Sequence, residues 1–466
     1  MGTTVFERRR PDDAVVDHAL SGARRGVFWL EDVERPQHPP VRGTVRTDLA
    51  VVGGGYAGLW TAVRARERDP DRRVLLLEAA RIGWAASGRN GGFCAASLTH
   101  GRENGRRRWP GEIDRLDELG MRNLGEIEET VARYDMDVDW ERTGEMHVAT
   151  EPHQVEWMRE EGHFLDQEAV RAEVHSPTYL AGSWNPAACA MVHPGKLAVE
   201  LARVAAELGV EIHEGSRVTG ISGRGTQTLA IDGGGRVVAD HVALATNVFP
   251  SLLRRNRLMT VPVYDHVLMT EPLTAAQLSA IGWRNRQGIA DSANQFHYYR
   301  LTADGRILFG GYDAIYHFGG RVRAAYEDRP ESFRRLAAHF FATFPQLEGL
   351  QFSHRWAGAI DTCSRFCAFF GLARAGRVAY AAGFTGLGVS ATRFAADVML
   401  DRLSGLETER TEFEMVRTRP IPFPPEPAAA IGINLVRASM DRADHNEGRR
   451  NLFLKTLDAV GMGFDS

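Results

Sequence analysis

The sequence predicts two fold classes in one chain, α/β and α+β. Its 466 residues are too many for one ordinary core, so we expect more than one domain. A strand, a glycine-rich turn and a helix follow one another at 49–63, and α/β segments return after 193 and after 378. The segments between 260 and 360 are long and β-like instead. We therefore predict a doubly wound, Rossmann-like domain with a mixed, mostly antiparallel sheet domain beside it.

The glycine-rich turn reads DLAVVGGGYAG from position 48 to position 58. Gly53, Gly55 and Gly58 form G-x-G-x-x-G between an apolar strand and an amphipathic helix. The first glycine allows a sharp turn, the second lets a pyrophosphate approach the backbone, and the third lets helix pack on strand. The helix N-terminus then offers N–H groups and a partial positive charge to the phosphates. A tight structural turn is the alternative, but the strand and helix around it favour a dinucleotide site.

The next apolar strand, Val74–Leu77, ends at Glu78. A carboxylate in this position accepts both hydroxyls of an adenosine ribose and repels a 2′-phosphate. The turn and Glu78 do not separate FAD from NAD. The stretch from Glu78 to Phe93 is rich in glycine and small residues, which lets a chain run flat against a planar ring. Ser87 and Asn90 could bond to the ring edge, although a flexible surface loop has the same pattern.

The stretch from 86 to 92 resembles the flavin-contacting segment of the D-amino-acid-oxidase-like FAD oxidoreductases, often written G-A-S-x-R-N-G-G. It looks closest to the gamma-glutamylputrescine oxidase-like members. Three further stretches agree in order: the helix and strand after His193, the segment at Arg217-Val218, and the loop from Ala381 to Val389. The resemblance covers about 30–405.

This resemblance implies FAD as the cofactor, and it implies a set of residues that hold it. These are Gly53, Gly55, Tyr56, Ala57, Gly58, Glu78, Ala79, Ala86, Ser87, Asn90, Gly91, Gly92, Val218, Gly383, Gly386, Leu387, Gly388 and Val389. The last five belong to a glycine-rich helix start, where backbone donors would stabilise charge on a reduced flavin.

The sequence departs from the family pattern in three places. Leu387 replaces a histidine found in many relatives. Members that attach flavin covalently use a cysteine that aligns near Gly358, and Cys363 lies beyond that position, so we expect non-covalent FAD. Some relatives place a lysine over the flavin to help oxygen react, and the matching region here, 307–309, has none. The resemblance therefore implies reduction of the flavin by the substrate more directly than reoxidation of the flavin by oxygen.

Candidates for substrate contact lie in the β-rich part of the chain. Tyr298 and Arg300 share one strand face, and together a phenol and a guanidinium could bind a carboxylate. Trp356, next to Arg355, is the third predicted catalytic residue, and His266 is a weaker candidate. An ordinary strand with one wet face is an equally good interpretation of the first pair.

The composition limits the possible partners. A net charge of −4 argues against nucleic acid, and no apolar run is long enough to span a membrane. Four cysteines in so long a chain favour reduced thiols and a cytoplasmic protein over a disulfide framework. The pair Cys363 and Cys367 has the spacing of half a metal site, but no second pair answers it, so we predict no metal.

We predict the following organisation from these patterns. Residues 1–45 are an arm; 46–100, 190–255 and 355–405 form a discontinuous FAD-binding domain; 101–189 and 256–354 form the substrate domain; and 406–466 form a helical tail. Helices are expected near 112–134 and 332–344, and a hairpin at 296–311.

The expected function is FAD-dependent oxidation of an amine or amino acid by hydride transfer to flavin, followed by imine hydrolysis. Oxygen would reoxidise the flavin and leave as hydrogen peroxide. One alternative is a dehydrogenase that uses another electron acceptor. A further alternative is a protein whose FAD is structural and whose tail docks onto a partner.

Overall fold

The computed structural model of the protein describes residues 2–160 and 162–459. Its strands, in chain order, are β1 (Arg24–Arg25), β2 (Thr44–Val52), β3 (Val74–Leu77), β4 (Phe93–Ala95), β5 (Glu145–Ala149), β6 (Phe164–Leu165), β7 (Ala181–Asn185), β8 (Cys189–Met191), β9 (Glu211–His213), β10 (Val218–Ser222), β11 (Gln227–Ile231), β12 (Arg236–Leu244), β13 (Val261–Thr270), β14 (Gly288–Asp291), β15 (His297–Leu301), β16 (Ile307–Gly311), β17 (Ile315–Tyr316), β18 (Phe352–Thr362), β19 (Phe369–Ala373) and β20 (Val378–Ala382).

The helices, in chain order, are α1 (Val5–Arg8), α2 (Asp13–Leu20), α3 (Phe28–Glu31), α4 (Tyr56–Arg68), α5 (Arg102–Arg108), α6 (Ile113–Arg133), α7 (Pro152–Glu160), α8 (Gln167–Glu173), α9 (Pro194–Glu207), α10 (Ala275–Ile281), α11 (Pro330–Thr343), α12 (Ala391–Leu403), α13 (Glu409–Glu412), α14 (Glu414–Arg417), α15 (Ala428–Asp444) and α16 (Leu452–Ala459).

The first large sheet has eight strands and a parallel centre. Strands β20, β12, β2, β3 and β9 lie side by side in that order and all run parallel. The antiparallel strands β11 and β10 extend it at one edge, and β19 pairs with β20. The runs Leu49–Val52 and Val74–Leu77 are wholly buried, which is typical of parallel strands covered on both faces. The predicted doubly wound, Rossmann-like fold is confirmed.

The second large sheet has ten strands and is mostly antiparallel. Its order is β1-β18-β13-β16-β15-β14-β5-β7-β6, with β17 paired to β13. Two of its pairings are parallel, β14 with β5 and β1 with β18. Helix α11 buries Phe333, Phe340 and Phe341 in the same core cluster as Tyr299 and Phe309 of the sheet. The mixed, mostly antiparallel sheet is therefore confirmed as well.

One of the predicted boundaries is wrong. Position 355 lies inside β18, which pairs with β13 across ten residues of the ten-stranded sheet, because the chain returns to the parallel sheet only after Thr362. The segment predicted as an arm is anchored on the body, since Trp29 is 1% exposed and β1 joins the ten-stranded sheet. The rest of the predicted division into domains stays a prediction.

The local elements follow the sequence pattern closely. The helices expected near 112–134 and 332–344 are α6 and α11, and the expected hairpin is β15 with β16. Helices α13–α16 make up the described part of the tail. Within 2–160 and 162–459, no helix is both long and apolar enough to cross a membrane.

Candidate functional site

One continuous cavity of about 2580 Å³ joins the two large sheets. The parallel sheet borders it with the turn after β2, the end of β3, the start of β10 and the loop after β12. The ten-stranded sheet borders it with side chains of β13, β15 and β18. The segment 83–91 and the loop 384–389 lie between these walls, except that residue 88 does not border the cavity. Both predicted cofactor motifs and Tyr298 therefore share one space.

The glycine turn has the close backbone approaches that its sequence predicts. Gly53 has φ +116°, and a Cβ atom on it would overlap the carbonyl oxygen of Ala245. A Cβ atom on Gly58 would overlap the carbonyl oxygen of Gly53, so helix α4 lies directly on the turn. A Cβ atom on Gly55 would lie 2.8 Å from Ser87 Oγ. The N-terminus of α4 thus borders the cavity, with the Ser87 hydroxyl beside Gly55.

The Glu78 carboxylate stabilises the glycine turn through a hydrogen bond with its backbone. Its Oε2 accepts a hydrogen bond from Gly54 N at 2.7 Å, and its Oε1 accepts from Ala80 N at 2.8 Å and Trp84 Nε1 at 3.0 Å. Burial raises the pKa of the Glu78 carboxyl, and these three donors oppose that shift. Glu78 and Ala79 both line the cavity, so the predicted ribose contact is sterically open and stays a prediction.

The segment after Glu78 is a rigid turn and not a flexible loop. The Asn90 amide donates to Ala86 O at 3.0 Å and Ser87 O at 2.8 Å, and its Oδ1 accepts from Gly92 N at 2.8 Å. Ser87 Oγ accepts from Tyr56 N at 2.9 Å, which ties this turn to the start of α4. The Asn90 side chain therefore shapes the turn, and the backbone of the segment borders the cavity.

The loop before α12 is held by a buried carboxylate that the sequence pattern did not reveal. Asp361 Oδ2 accepts from Gly383 N at 2.6 Å and Phe384 N at 3.2 Å. Burial raises the pKa of Asp361 to about 6, and the backbone donors oppose the rise. Thr385 and Gly386 follow in the left-handed region with φ +46° and +93°.

Most of the predicted cofactor residues line this cavity, and three do not. Gly58 and Gly92 sit behind the wall as close-packing positions, and Gly383 packs on Cys363, whose Sγ lies 2.9 Å from the Cβ position. The residues that line it are Gly53, Gly55, Tyr56, Ala57, Glu78, Ala79, Ala86, Ser87, Asn90, Gly91, Val218, Gly386, Leu387, Gly388 and Val389.

The predicted pairing of Tyr298 with Arg300 around a carboxylate is not formed. Tyr298 lines the cavity and donates its hydroxyl to Asp265 Oδ2 at 2.5 Å. Arg300 shares the strand face but lies under the two-stranded sheet of β4 and β8, where Nη1 donates to Val192 O at 2.6 Å. Its guanidinium also lies over the Trp29 ring at 5.8 Å. Arg300 is a structural clamp because this small sheet covers its end of the face.

Trp356 and His266 also lie off the cavity. Trp356 is buried with Trp29 and Met269, and its Nε1 donates to Arg89 O at 2.9 Å. It therefore positions the turn at 86–92 instead of touching a substrate. His266 is wholly buried on the opposite sheet face and meets Phe333 edge-on, and burial lowers its pKa to about 4.

Three further features of the site escaped sequence reasoning. Asp265 lies between Val263 and Val267 on one strand face, and this alternation of apolar and acidic residues was the available signal. Arg89 pairs with Glu327 at 2.6 Å across the cavity wall. Helix α15 of the tail borders the cavity, which no local pattern indicated.

Asp444 fastens the C-terminal end of helix α15 to the segment 294–295 beside the cavity. Asp444 accepts hydrogen bonds from Asn294 N at 2.9 Å, Asn294 Nδ2 at 2.8 Å and Gln295 N at 3.0 Å. Burial raises the pKa of Asp444, and these three donors oppose that rise.

Asp444→Ala is expected to release α15, because three hydrogen bonds to a charge are lost and three donors are left unpaired. A local loss of about 2 kcal/mol would make tryptic cleavage within α15 roughly 10- to 100-fold faster. Asp441→Ala, one turn earlier on an exposed position, is the matched control and should be cut at the wild-type rate. Equal cleavage of both variants would contradict an anchoring role for Asp444.

Cys363 and Cys367 have the spacing of half a metal site, and the sequence predicts no metal there. In the described ranges no group of three or more potential ligands could hold a metal ion. Cys363 donates its thiol to backbone carbonyls, including Cys367 O at 3.1 Å. All four cysteines are buried and unbridged.

A glycine turn at the end of a parallel strand, facing an antiparallel sheet across one cavity, is the architecture of a dinucleotide-binding protein with a second, antiparallel sheet. The sequence matches the family described as FAD dependent oxidoreductase over residues 48–402. The chain belongs to this family and is an FAD-dependent oxidoreductase.

The curated relatives include gamma-glutamylputrescine oxidoreductase of Escherichia coli (strain K12). It is 32% identical over 402 residues, which are 82% of this chain and 88% of that protein. Two solved structures share the fold. Glycine oxidase from Geobacillus kaustophilus has a TM-score of 0.65 at 20% identity, covering 81% of this chain and 100% of that one. L-proline dehydrogenase from P. horikoshii has a TM-score of 0.65 at 19% identity, covering 78% and 95%.

The family implies FAD, and the cavity fits it. Gly53, Gly54 and Gly55 line the wall beside α4, so a pyrophosphate could approach their backbone there. Glu78 and the segment 216–220 border the end where an adenosine would lie. The turn 86–91 and the loop 385–389 would hold the flavin, with backbone groups held in place by Asn90 and Asp361.

Proposed function

We propose that this protein oxidises a small amine or amino acid, with FAD as the acceptor of the hydride. The reacting carbon would lose a hydride as its bond to nitrogen becomes a double bond, and water would then hydrolyse the imine to a carbonyl compound. The protein would supply orientation and a dry pocket, and FAD would supply the redox chemistry.

The observation that carries this proposal is the contact between the predicted flavin segment and the sheet wall. A Cβ atom on Gly91 would lie 2.8 Å from the ring of Tyr298, so the segment 86–91 packs against β15 and a flavin held by it would lie beside that strand. A substrate in the remaining space would sit between that ring and the side chains of β13 and β18. The resemblance to gamma-glutamylputrescine oxidoreductase supports an amine as the reacting group.

We further propose that FAD is held without a covalent bond and is reoxidised by oxygen. No cysteine of the described chain lines the cavity, which supports non-covalent binding. A dehydrogenase with another acceptor is the second candidate, and one observation favours it. Within the described ranges no lysine lines the cavity, and Lys196 is bonded to Asp137 and Asp139 elsewhere. A cytoplasmic location stays a prediction.

The test is an anaerobic absorbance titration of the purified holoprotein with a panel of amines and amino acids. Bleaching of the flavin band by an amine, followed by rapid recovery in air with formation of hydrogen peroxide, supports the oxidase. Bleaching with slow recovery in air supports the dehydrogenase. A flavin that no member of the panel bleaches would contradict the proposed function and favour a structural FAD. Precipitation with acid should release FAD into the supernatant if the cofactor is non-covalent.

A further inference from the structure

Asp265 borders the cavity without a cationic partner, and its Oδ1 is a buried atom that accepts no hydrogen bond from the described residues. Glu327 pairs with Arg89, and Asp313 pairs with Arg329 and Arg335. Asp361 caps backbone N–H groups, and Asp291 bonds His297 Nδ1 at 2.6 Å. Asp265 accepts one hydrogen bond, from the hydroxyl of Tyr298, and no basic side chain of the described residues lies within 4.0 Å of it.

The position of Asp265 places this charge beside the predicted flavin. Asp265 lies opposite Gly358 in the register of β13 and β18, and it points into the cavity between Val263 and Val267. Tyr298, which touches Asp265, also packs on Gly91 of the flavin segment. A molecule bound at Asp265 is therefore next to the ring that 86–91 would hold.

A buried carboxylate costs free energy unless a donor or a cation compensates it. One phenol hydroxyl compensates a carboxylate less well than an ion pair does. The neighbours of Asp265 on β13 and β18 are Val263, Val267 and Gly358, which offer no charge or hydrogen bond, so a cationic ligand is the natural complement.

We propose that Asp265, oriented by Tyr298, binds the protonated nitrogen of the substrate, takes up one proton from it before the hydride leaves, and selects amines that carry no carboxylate on the reacting carbon. The inference rests on the proposed function and deepens it. An α-amino acid would bring its carboxylate next to Asp265, and the clamp role of Arg300 leaves that residue unable to neutralise it. An alkylamine brings only the positive charge.

The titratable and charged groups that face Asp265 are few. Tyr298 lies on β15, Asp313 follows β16, and the Arg89–Glu327 pair lies beside Gly358 on β18. Burial raises the pKa of Asp265 to about 6. The Tyr298 hydroxyl and the N–H groups of His266 and Gly311 lower it, and Asp313 raises it. Binding of a cation should therefore weaken as pH falls through about 6.

The first experiment measures binding and does not depend on turnover. tert-Butylammonium has no hydrogen on the carbon that bears nitrogen, so it cannot be oxidised, and tert-butanol is its neutral analogue. Perturbation of the flavin spectrum of the holoprotein gives both affinities. We expect the cation to bind at least about 10-fold more tightly than the alcohol. Equal affinities in the wild type would overturn the proposal, whatever the variants do.

Variants then assign the effect to Asp265. Asp265→Asn should weaken tert-butylammonium about 10-fold or more and leave tert-butanol unchanged. Tyr298→Phe should shift the pH midpoint of cation binding upward, because the donor that lowers the pKa of Asp265 is lost. Glu145→Gln, on another acid that borders the cavity, is the matched control and should bind the cation as the wild type does. Unchanged cation affinity in Asp265→Asn would overturn the assignment.

A comparison of two substrates completes the test. Norvaline is n-butylamine with a carboxylate on the reacting carbon, and the wild type should be reduced faster by n-butylamine at equal concentration. Faster reduction by norvaline would overturn the selectivity. If neither they nor any other amine reduces the flavin, the proposed function fails, and the tert-butylammonium titration still decides whether Asp265 is a cation site.

Discussion

Gly58→Ala is expected to leave the purified protein with little bound FAD and to weaken its affinity roughly 100-fold, which corresponds to about 2.8 kcal/mol. The added methyl group would overlap the carbonyl oxygen of Gly53, the first residue of the turn. Either that carbonyl rotates or α4 moves outward, and both changes disturb the backbone that the pyrophosphate must approach. The flavin-to-protein absorbance ratio and FAD titration of the apoprotein measure the effect.

Two glycine-to-alanine changes in α6, at Gly120 and Gly125, separate the loss of FAD affinity in Gly58→Ala from the effect of crowding alone. Gly120 has the same kind of overlap, with the carbonyl oxygen of Ala96, but does not line the cavity. Its alanine variant should unfold at a lower temperature and lose much less FAD affinity. Gly125 has no heavy atom within 4 Å of its Cβ position, so its alanine variant should be up to about 1 kcal/mol more stable. Wild-type FAD affinity in Gly58→Ala would show that the turn does not hold the cofactor.

Asp397→Asn is expected to cost about 3–5 kcal/mol of stability, because it removes the centre of a buried network of charges. Asp397 is 2% exposed, and its Oδ1 accepts from Arg64 Nε at 3.0 Å and Arg68 Nη2 at 2.7 Å. Arg393 and Arg410 lie within 4.0 Å of its other oxygen. The asparagine leaves these guanidinium groups without their shared partner. The midpoint of urea unfolding of the holoprotein measures the loss.

The contribution of Asp397 to the stability of the protein should also depend on pH. Burial opposes the charge of Asp397, but the attraction of Arg64, Arg393, Arg68 and Arg410 outweighs burial and lowers the pKa of this carboxyl. A carboxyl with a lowered folded pKa contributes stability above its unfolded pKa of about 4 and loses it as pH falls through the folded pKa. The difference in free energy of unfolding between the wild type and Asp397→Asn should therefore be at its maximum at pH 7 and become smaller below about pH 4.

Asp48→Asn is the control for the network. Asp48 pairs with Arg73 at 2.5 Å, but this pair lies at the surface, where water screens it. Its loss should hardly move the midpoint of urea unfolding. If Asp397→Asn behaved like Asp48→Asn, the buried network would not be what joins α4 to α12.

Sequence reasoning succeeded where a function depends on neighbours in the chain. The turn at Gly53 and the strand ending at Glu78 could be predicted because strand, glycines and helix follow one another within a short window. It failed where long-range contacts decide the direction of a side chain. Arg300 has the right spacing from Tyr298, but the sheet of β4 and β8 covers it. Asp265 becomes a site residue only through the register of β13 with β18.

The position of the tail also depends on long-range contacts that the sequence did not predict. A helical tail was predicted from its composition, but its contact with the cavity depends on a match between Asp444 and the backbone at 294–295. No periodicity in either segment indicates the other. The family resemblance located the cofactor motifs for the same reason: it carries information about contacts between distant segments, which a single sequence does not.

The network between α4 and α12 also has a consequence for biosynthesis. Arg68 and Asp401, which join these helices, are 333 residues apart in the sequence. A ribosome that adds about 5–20 residues per second needs on the order of tens of seconds to travel that distance. During this time the glycine turn after β2 has already emerged, but the loop at 385–389 and the strand β20 do not yet exist. If the loop 385–389 holds the flavin as proposed, FAD should be captured late in the assembly of the protein, and a nascent chain arrested before β20 should emerge without flavin.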